Sequence, residues 1–343
     1  MRRAGSWGWG IALWLLSLPA CAPDRADMSP DSLTYPLEIP AGFPQMPIPA
    51  DNYLTPDRVA LGKRLFYDPI LSREGSVACA SCHLQENGFA DTTQFSRGID
   101  GRMGFRNAPT LSNLAWHPYF FMDGGVPTLE LQVLAPLDNH DELDLDLISL
   151  MDRLQSHPQY PALFRKAYGR EPDPFGLTRA IAAFERTLVS GNSAYDRQVL
   201  GQDSDAMSPA AVRGMALFFG DRLHCAGCHS GFDFTDYGFH NIGLPVTTAD
   251  SGRMRITLNE NDRGSYKTPS LRNVALSAPY MHDGSIRSLE EVIDFLASGG
   301  AHYPNQHPLT QGFAISSQEK TDLIAFLHAL TDTEFITRPE FGK

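Results

Sequence analysis

At 343 residues the chain has room for about two domains. Hydrophobic content of 42% and charged content of 20% describe an ordinary folded protein and exclude a disordered one. A net charge of −12, with no basic run able to track a phosphate backbone, excludes nucleic acid as a partner. Such an acidic surface suits a basic electron-donor protein, because complementary fields speed encounter.

Taken in chain order, the first 21 residues read as an export signal. Arg2 and Arg3 supply the positive start, Ile11 to Leu18 the apolar stretch, and Pro19-Ala20-Cys21 a small-residue exit. The apolar stretch is too short for a spanning anchor. Leu18-Pro19-Ala20-Cys21 also resembles a bacterial lipobox, so plain cleavage and a lipid anchor at Cys21 both stay open. Either way the expected location is the periplasm, soluble or tethered to its membrane. Residues 22–50, rich in Pro, Asp and Ser, read as a linker.

Thr55-Pro56 followed by Val59, Leu61, Leu65 and Phe66 predicts a capped helix with proline in its first turn. Ser208-Pro209 followed by Val212, Met215, Leu217 and Phe218 predicts its counterpart. Each runs into a loop with Cys-x-x-Cys-His, at Cys79–His83 and at Cys225–His229. Helical spacing of apolar residues recurs over Leu177–Leu188, Leu289–Leu296 and Glu319–Leu330, while alternating strand patterns are scarce. A second repeat is sharper: "APTLSNLAWHPYFFMDGGVPTLE" (108–130) aligns without gaps on "TPSLRNVALSAPYMHDGSIRSLE" (268–290). Asn113 matches Asn273, Asp123 matches Asp283, Gly124 matches Gly284 and Glu130 matches Glu290. The expectation is a mostly α chain of two tandem cytochrome c-like domains, residues 51–200 and 201–343.

Four of the five cysteines fall in the two pentapeptides. In an exported protein four cysteines would ordinarily suggest two disulfides. Here each pair is two residues apart and followed at once by histidine, the attachment signal for c-type haem. Two thioethers fix the porphyrin edge and the adjacent histidine swings beneath to bind iron. Cys79, Cys82, His83, Cys225, Cys228 and His229 are therefore the expected haem-binding residues.

The two motifs, together with "RNAPTLSNLAW", "FFMDGG", "AAFERTLVSG" and "TPSLRNVALSAPYMHDGS", resemble the bacterial di-haem cytochrome c peroxidase family over nearly the whole mature chain. The ending "GFAISSQEKTDLIAFLHALTDTEFITRPEF" is most similar to the branch of MauG and the methanobactin-associated di-haem proteins. The resemblance implies that an N-terminal haem reacts with hydrogen peroxide. It implies that a C-terminal haem relays electrons from a small cytochrome or cupredoxin, or from a protein substrate whose Trp or Tyr side chains are oxidised. It makes His83 and His229 the iron ligands, and Gln132 and Glu142 the peroxidatic pair, with Pro136 between them. There a carboxylate can move a proton between the peroxide oxygens and an amide can hold the departing one. It also implies calcium, held by the Asn107 side chain and the carbonyls of Ser277 and Pro279, an oxygen set that suits a hard cation.

Three departures from that pattern matter. Ile99 stands where other members carry a distal histidine, which implies an open first haem, and an empty axial position admits a small ligand. Leu296 stands where a Met or Tyr binds the second iron. The 160-residue repeat offers His302 instead, opposite Glu142, with Met281 as the other candidate. Met122 replaces a Trp between the haems, and Trp116 nearby reads equally well as core. A non-catalytic electron carrier is the remaining alternative.

Overall fold

The computed structural model describes residues 34–246 and 250–343, and the expected signal and the first part of the linker lie outside them. Thr34–Lys343 form one compact unit. Its helices are α1 (Pro56–Tyr67), α2 (Leu129–Gln132), α3 (Leu134–Asp138), α4 (Leu147–Ser156), α5 (Tyr160–Tyr168) and α6 (Pro174–Glu185). They continue with α7 (Ala194–Val199), α8 (Pro209–Phe219), α9 (Met254–Thr257), α10 (Leu289–Ser298), α11 (Ser317–His328) and α12 (Thr333–Thr337). The two strands are β1 (Phe239–His240) and β2 (Tyr266–Lys267), antiparallel, with Phe239 opposite Lys267. No helix among the described residues is long and apolar enough to cross a membrane.

The predicted caps form. Thr55 accepts from the Arg58 amide ahead of α1, and Ser208 accepts from the Ala211 amide ahead of α8, each with proline in the first turn. In each half the capped helix crosses a later one so closely that their backbones touch. A methyl on Gly62 of α1 would sit 1.8 Å from the Ala180 carbonyl oxygen and 3.0 Å from Phe184 Cβ in α6. A methyl on Gly214 of α8 would sit 1.9 Å from the Asp322 carbonyl oxygen and 2.9 Å from Phe326 Cβ in α11. The two crossings are the same structure built twice, with Ala180 and Phe184 equivalent to Asp322 and Phe326.

The 160-residue repeat is equally literal. Asn113 and Asn273 both adopt the left-handed conformation, at φ 59° and 60°, and each precedes a 3-10 turn. The Asn113 amide bonds the Leu188 carbonyl just after α6, and the Asn273 amide bonds the Leu330 carbonyl just after α11. Both residues need φ > 0, which asparagine tolerates far better than a branched side chain.

Two cores fill the first half around Leu65, Tyr160 and Phe164, and around Phe66, Phe89 and Phe184; a third fills the second half around Phe218, Phe234 and Phe326. At the end of the chain, Phe335 and Phe341 pack into the Phe66–Phe89 core of the first half. The described part of the expected linker is also packed. Phe43 lies edge-on to Trp116 at 5.5 Å, the Trp116 indole N–H donates to the Pro44 carbonyl at 3.1 Å, and Met46 is buried.

The glycine crossing generates a stability test. Gly214→Ala forces two backbones apart, a strain that no side-chain rotation relieves, and should cost about 1–3 kcal/mol. Gly104→Ala, where an added methyl meets nothing within 4 Å, should leave the denaturation midpoint close to wild type. Equal midpoints for the two variants would contradict the backbone contact.

Candidate functional site

The local backbone gives both Cys-x-x-Cys-His segments the same shape. Cys79–Ser81 and Cys225–Gly227 are 3-10 turns, closed by His83 N to Cys79 O at 3.0 Å and by His229 N to Cys225 O at 2.9 Å. The turn brings both cysteines and the histidine together in a single loop. All four cysteines are free of disulfides. Burial pushes the Cys82, Cys225 and Cys228 thiols up to about 11, and burial and then the Glu185 carboxylate push Cys79 up. These thiols are neutral, not nucleophilic thiolates, which argues against thiol–disulfide chemistry.

Each histidine is aimed by one hydrogen bond. His83 Nδ1 lies 2.8 Å from the Phe89 carbonyl and His229 Nδ1 lies 3.0 Å from the Phe234 carbonyl. A carbonyl only accepts, so Nδ1 carries the proton and Nε2 keeps its lone pair for a metal. Both acceptors are left-handed phenylalanines, at φ 62° and 51°, with side chains 0% and 1% exposed. That conformation costs a bulky residue about 1–3 kcal/mol and persists only when its surroundings hold it. Buried aromatic packing therefore supports the tautomer that iron requires.

Gln132 ends α2 and is half-buried; α3, with Pro136 inside it, follows after Val133. The chain then turns back, Leu143 N bonding Pro136 O and Leu145 N bonding Leu137 O, and presents Glu142. Asn139 Nδ2 donates to Glu142 Oε1 at 2.6 Å. The residue is exposed by surface area, yet burial of the carboxyl and the nearby Asp141 charge push its pKa up. In turn Glu142 raises both the Cys79 and Cys82 thiols, which puts its carboxylate in reach of the first haem motif. Ile99, fully buried, donates its backbone N–H to the Glu142 carbonyl at 3.0 Å.

At the second motif, Cys225, Cys228 and His229 open on a largely apolar cavity of about 300 Å³ whose wall includes Leu244, Ile293, Leu296 and Leu327. Leu296 faces it as expected, and so do Met122, Met281 and His282. His302 does not: it is exposed, 3.5 Å from Gln311 Oε1, and absent from the wall. α2 and α3 together span Leu129–Asp138 as α10 spans Leu289–Ser298, and the repeat that pointed to His302 breaks down just beyond, where Gly299 is left-handed at φ 82° and Asn139 is extended at φ −66°. Asn107, Ser277 and Pro279 also share the cavity wall, and Asn107 Nδ2 donates to the Thr93 and Gln94 carbonyls, leaving its amide oxygen available.

Two features of this wall are invisible in sequence. His282 stacks on Tyr266 with ring centroids 3.7 Å apart. Lys267, buried, donates to the Tyr119 carbonyl at 2.8 Å and lies 3.2 Å from His117 Nδ1, whose other nitrogen is 3.3 Å from Asp233. Burial lowers Lys267 to about 8, the Asp233 charge opposing it. A β-strand of two residues gave no pattern by which to find either group.

The residues suit haem c: paired thiols, a neutral histidine with a free Nε2, and an apolar cavity beside them. Comparison with known proteins agrees. Residues 56–204 match the family model "Di-haem cytochrome c peroxidase" and residues 211–331 match "Cytochrome c". The methylamine utilization protein MauG of Methylorubrum extorquens is 42% identical over 86% of this chain and 84% of its own length. The cytochrome c551 peroxidase of Nitrosomonas europaea is 33% identical over 85% of each chain. The crystal structure of a MauG-like protein associated with microbial copper homeostasis superposes with a TM-score of 0.84, at 33% identity, covering 90% of this chain and 99% of that one. The chain is an oxidoreductase with haem c, and it belongs to the di-haem cytochrome c peroxidase and MauG family.

Proposed function

We propose that the chain is an exported enzyme that reduces hydrogen peroxide at its N-terminal haem, with electrons relayed through the C-terminal haem from a small cytochrome or cupredoxin. His83 and His229 would hold the two irons, each with Nε2 free for the purpose, and the four paired cysteines would hold the porphyrins. An open haem iron supplies peroxide binding and activation. Glu142 takes the proton from the near oxygen and returns it to the far one, while the Gln132 amide steadies the departing oxygen. Two electrons and two protons per peroxide yield two waters.

The observation that carries this reading is the contact between Ile99 and Glu142. Where other members are expected to place a distal histidine, this chain has a buried isoleucine whose N–H holds the Glu142 loop. An apolar side chain cannot ligate iron, so the loop that would block the first haem instead supports the acid. Burial first, and then the Asp141 charge, raise the pKa of Glu142 above that of a free carboxyl, the direction that suits an acid that passes a proton on.

A second reading keeps the chemistry but makes a partner protein the reductant, its Trp or Tyr side chains being oxidised. The 42% identity to a MauG protein favours it. Peroxide consumption with a reduced small cytochrome, against oxidation of a co-expressed partner read by mass, separates the two. The periplasmic location, with or without a lipid anchor at Cys21, rests on the export signal. Calcium would take the Asn107 amide oxygen with carbonyls of Ser277 and Pro279, three residues of one cavity wall.

Low-temperature EPR of the ferric protein is the direct test. A high-spin signal that disappears on one equivalent of peroxide per haem, without prior reduction, is the expected result. Two low-spin signals unmoved by peroxide would leave an electron carrier or an enzyme needing reductive activation. Glu142→Gln should keep the high-spin signal and slow its loss by about 10²–10⁴-fold. Ile99→His should convert the first haem from high to low spin and make its peroxide reaction depend on prior reduction; an unchanged spectrum would place residue 99 away from the iron.

A further inference from the structure

The register of the two glycine crossings identifies a residue that the peroxide chemistry above does not use. Gly62 meets Ala180 and Phe184, and Gly214 meets Asp322 and Phe326 in the same manner, so Ala180 corresponds to Asp322 and Phe184 to Phe326. Leu188 and Leu330, each bonded by the repeat asparagine, keep the same register. In that register Ile181 corresponds to Leu323 and Glu185 to Leu327. Leu323 and Leu327 both line the cavity beside Cys225, Cys228 and His229. Glu185 is therefore the first haem's counterpart of a leucine that faces the second.

Two further observations put its carboxyl there. Cys79 packs against the cores that α6 helps to build, and among charged groups Glu185 has the largest effect on the Cys79 thiol. Glu185 is 5% exposed, and its Oε2 has no hydrogen-bond partner among the described residues. The cation that acts on it is already engaged. Arg186 is committed to Glu130 through two bonds of 2.6 and 3.0 Å, and Glu130 is itself a like charge. The charged residues of α1 are engaged elsewhere: Asp57 with Lys166, Arg58 with the Ala167 and Tyr53 carbonyls, Lys63 with the Pro339 carbonyl, and Arg64 with Gln159. The negative end of α6 adds to the cost of a carboxylate at its last residue.

We propose that Glu185 is the redox-linked proton site of the N-terminal haem: it takes up one proton from solvent when that haem accepts one electron from a one-electron donor, and releases it on reoxidation. The electron cancels one positive charge at the iron, and the proton cancels the carboxylate charge that this positive charge had stabilised. Burial, opposed by Arg186 and reinforced by Glu130, already raises the acid to about 8, so the exchange falls within an accessible pH range. The ferric state lowers that pKa and the ferrous state raises it, and between the two values the haem potential falls as pH rises. The second haem meets Leu327 at the equivalent position, so this carboxylate has no counterpart there, where Lys267 and His282 are among the titratable groups of the wall.

The inference rests on haem being attached at Cys79 and Cys82, which a haem count by mass establishes separately. Spectroelectrochemical titration of the intact di-haem protein at a series of pH values then reads each haem's potential. The expected result is a potential that falls with pH for the N-terminal haem, with a slope that depends on residue 185. Glu185→Gln, nearly isosteric, should flatten the N-terminal profile, and Glu185→Leu, which copies Leu327, should do the same. A pH slope retained in either variant, with two haems attached and unchanged optical spectra, overturns the proposal. Should neither variant fold, proton uptake per electron during reduction of the wild-type protein decides: none near the pKa of the acid rejects it.

Discussion

Everything in this molecule hangs on a backbone-to-backbone helix contact made twice. α1 against α6 and α8 against α11 approach until only glycine fits between them, with 1.8 and 1.9 Å left for an absent methyl. Close approach of this kind removes all freedom to slide, since a shift of one residue would drive a side chain into a carbonyl. The loop that leaves each capped helix carries the haem motif, so the crossing sets where the thiols and histidine stand. It also sets which residues of α6 and α11 face them.

Around that frame the polar interior is paired with care. Arg186 grips Glu130 beside Asn52, and Arg272 grips Asp196 by two bonds of 2.8 and 3.0 Å. Buried pairs like these add little net stability, but losing one partner is costly, so they enforce a single arrangement. Asp332 accepts from the Gly191 and Asn192 amides, joining the chain end to the loop after α6. Glu185 is conspicuous because it lacks such a partner in a structure that supplies one elsewhere.

Much of this was legible in sequence for a physical reason: caps, haem motifs and the repeat are local patterns. Thr55 and Ser208 announce their helices, and Asn113 and Asn273 announce the left-handed turns they occupy. What was not legible depends on register over distance. The 160-residue offset holds through the helical residues 129–138 and 289–298 and then fails, because the chain leaves α10 through a left-handed Gly299 where Asn139 is extended. His302 therefore lies outside the cavity, and Met281 and His282 line it instead. Glu185 was hidden in "AAFERTLVSG" because its meaning comes from α6 crossing α1, which no spacing within that segment reports. Phe43 looked like part of a linker because only its tertiary neighbours distinguish a packed aromatic from an exposed one.

The comparison of the two halves yields the last step. A duplicated frame would give two haems alike, yet the positions that face them have diverged in one direction. Towards the first motif the chain presents acids, Glu142 and Glu185, both with pKa values raised by burial. Towards the second it presents Leu296, Leu323 and Leu327, with Lys267 and His282 also in a wall that is mostly hydrocarbon. The duplicated crossing thus fixes where each site's side chains stand, while their chemistry differs: acids at the first motif, a cation and an imidazole among hydrocarbon at the second.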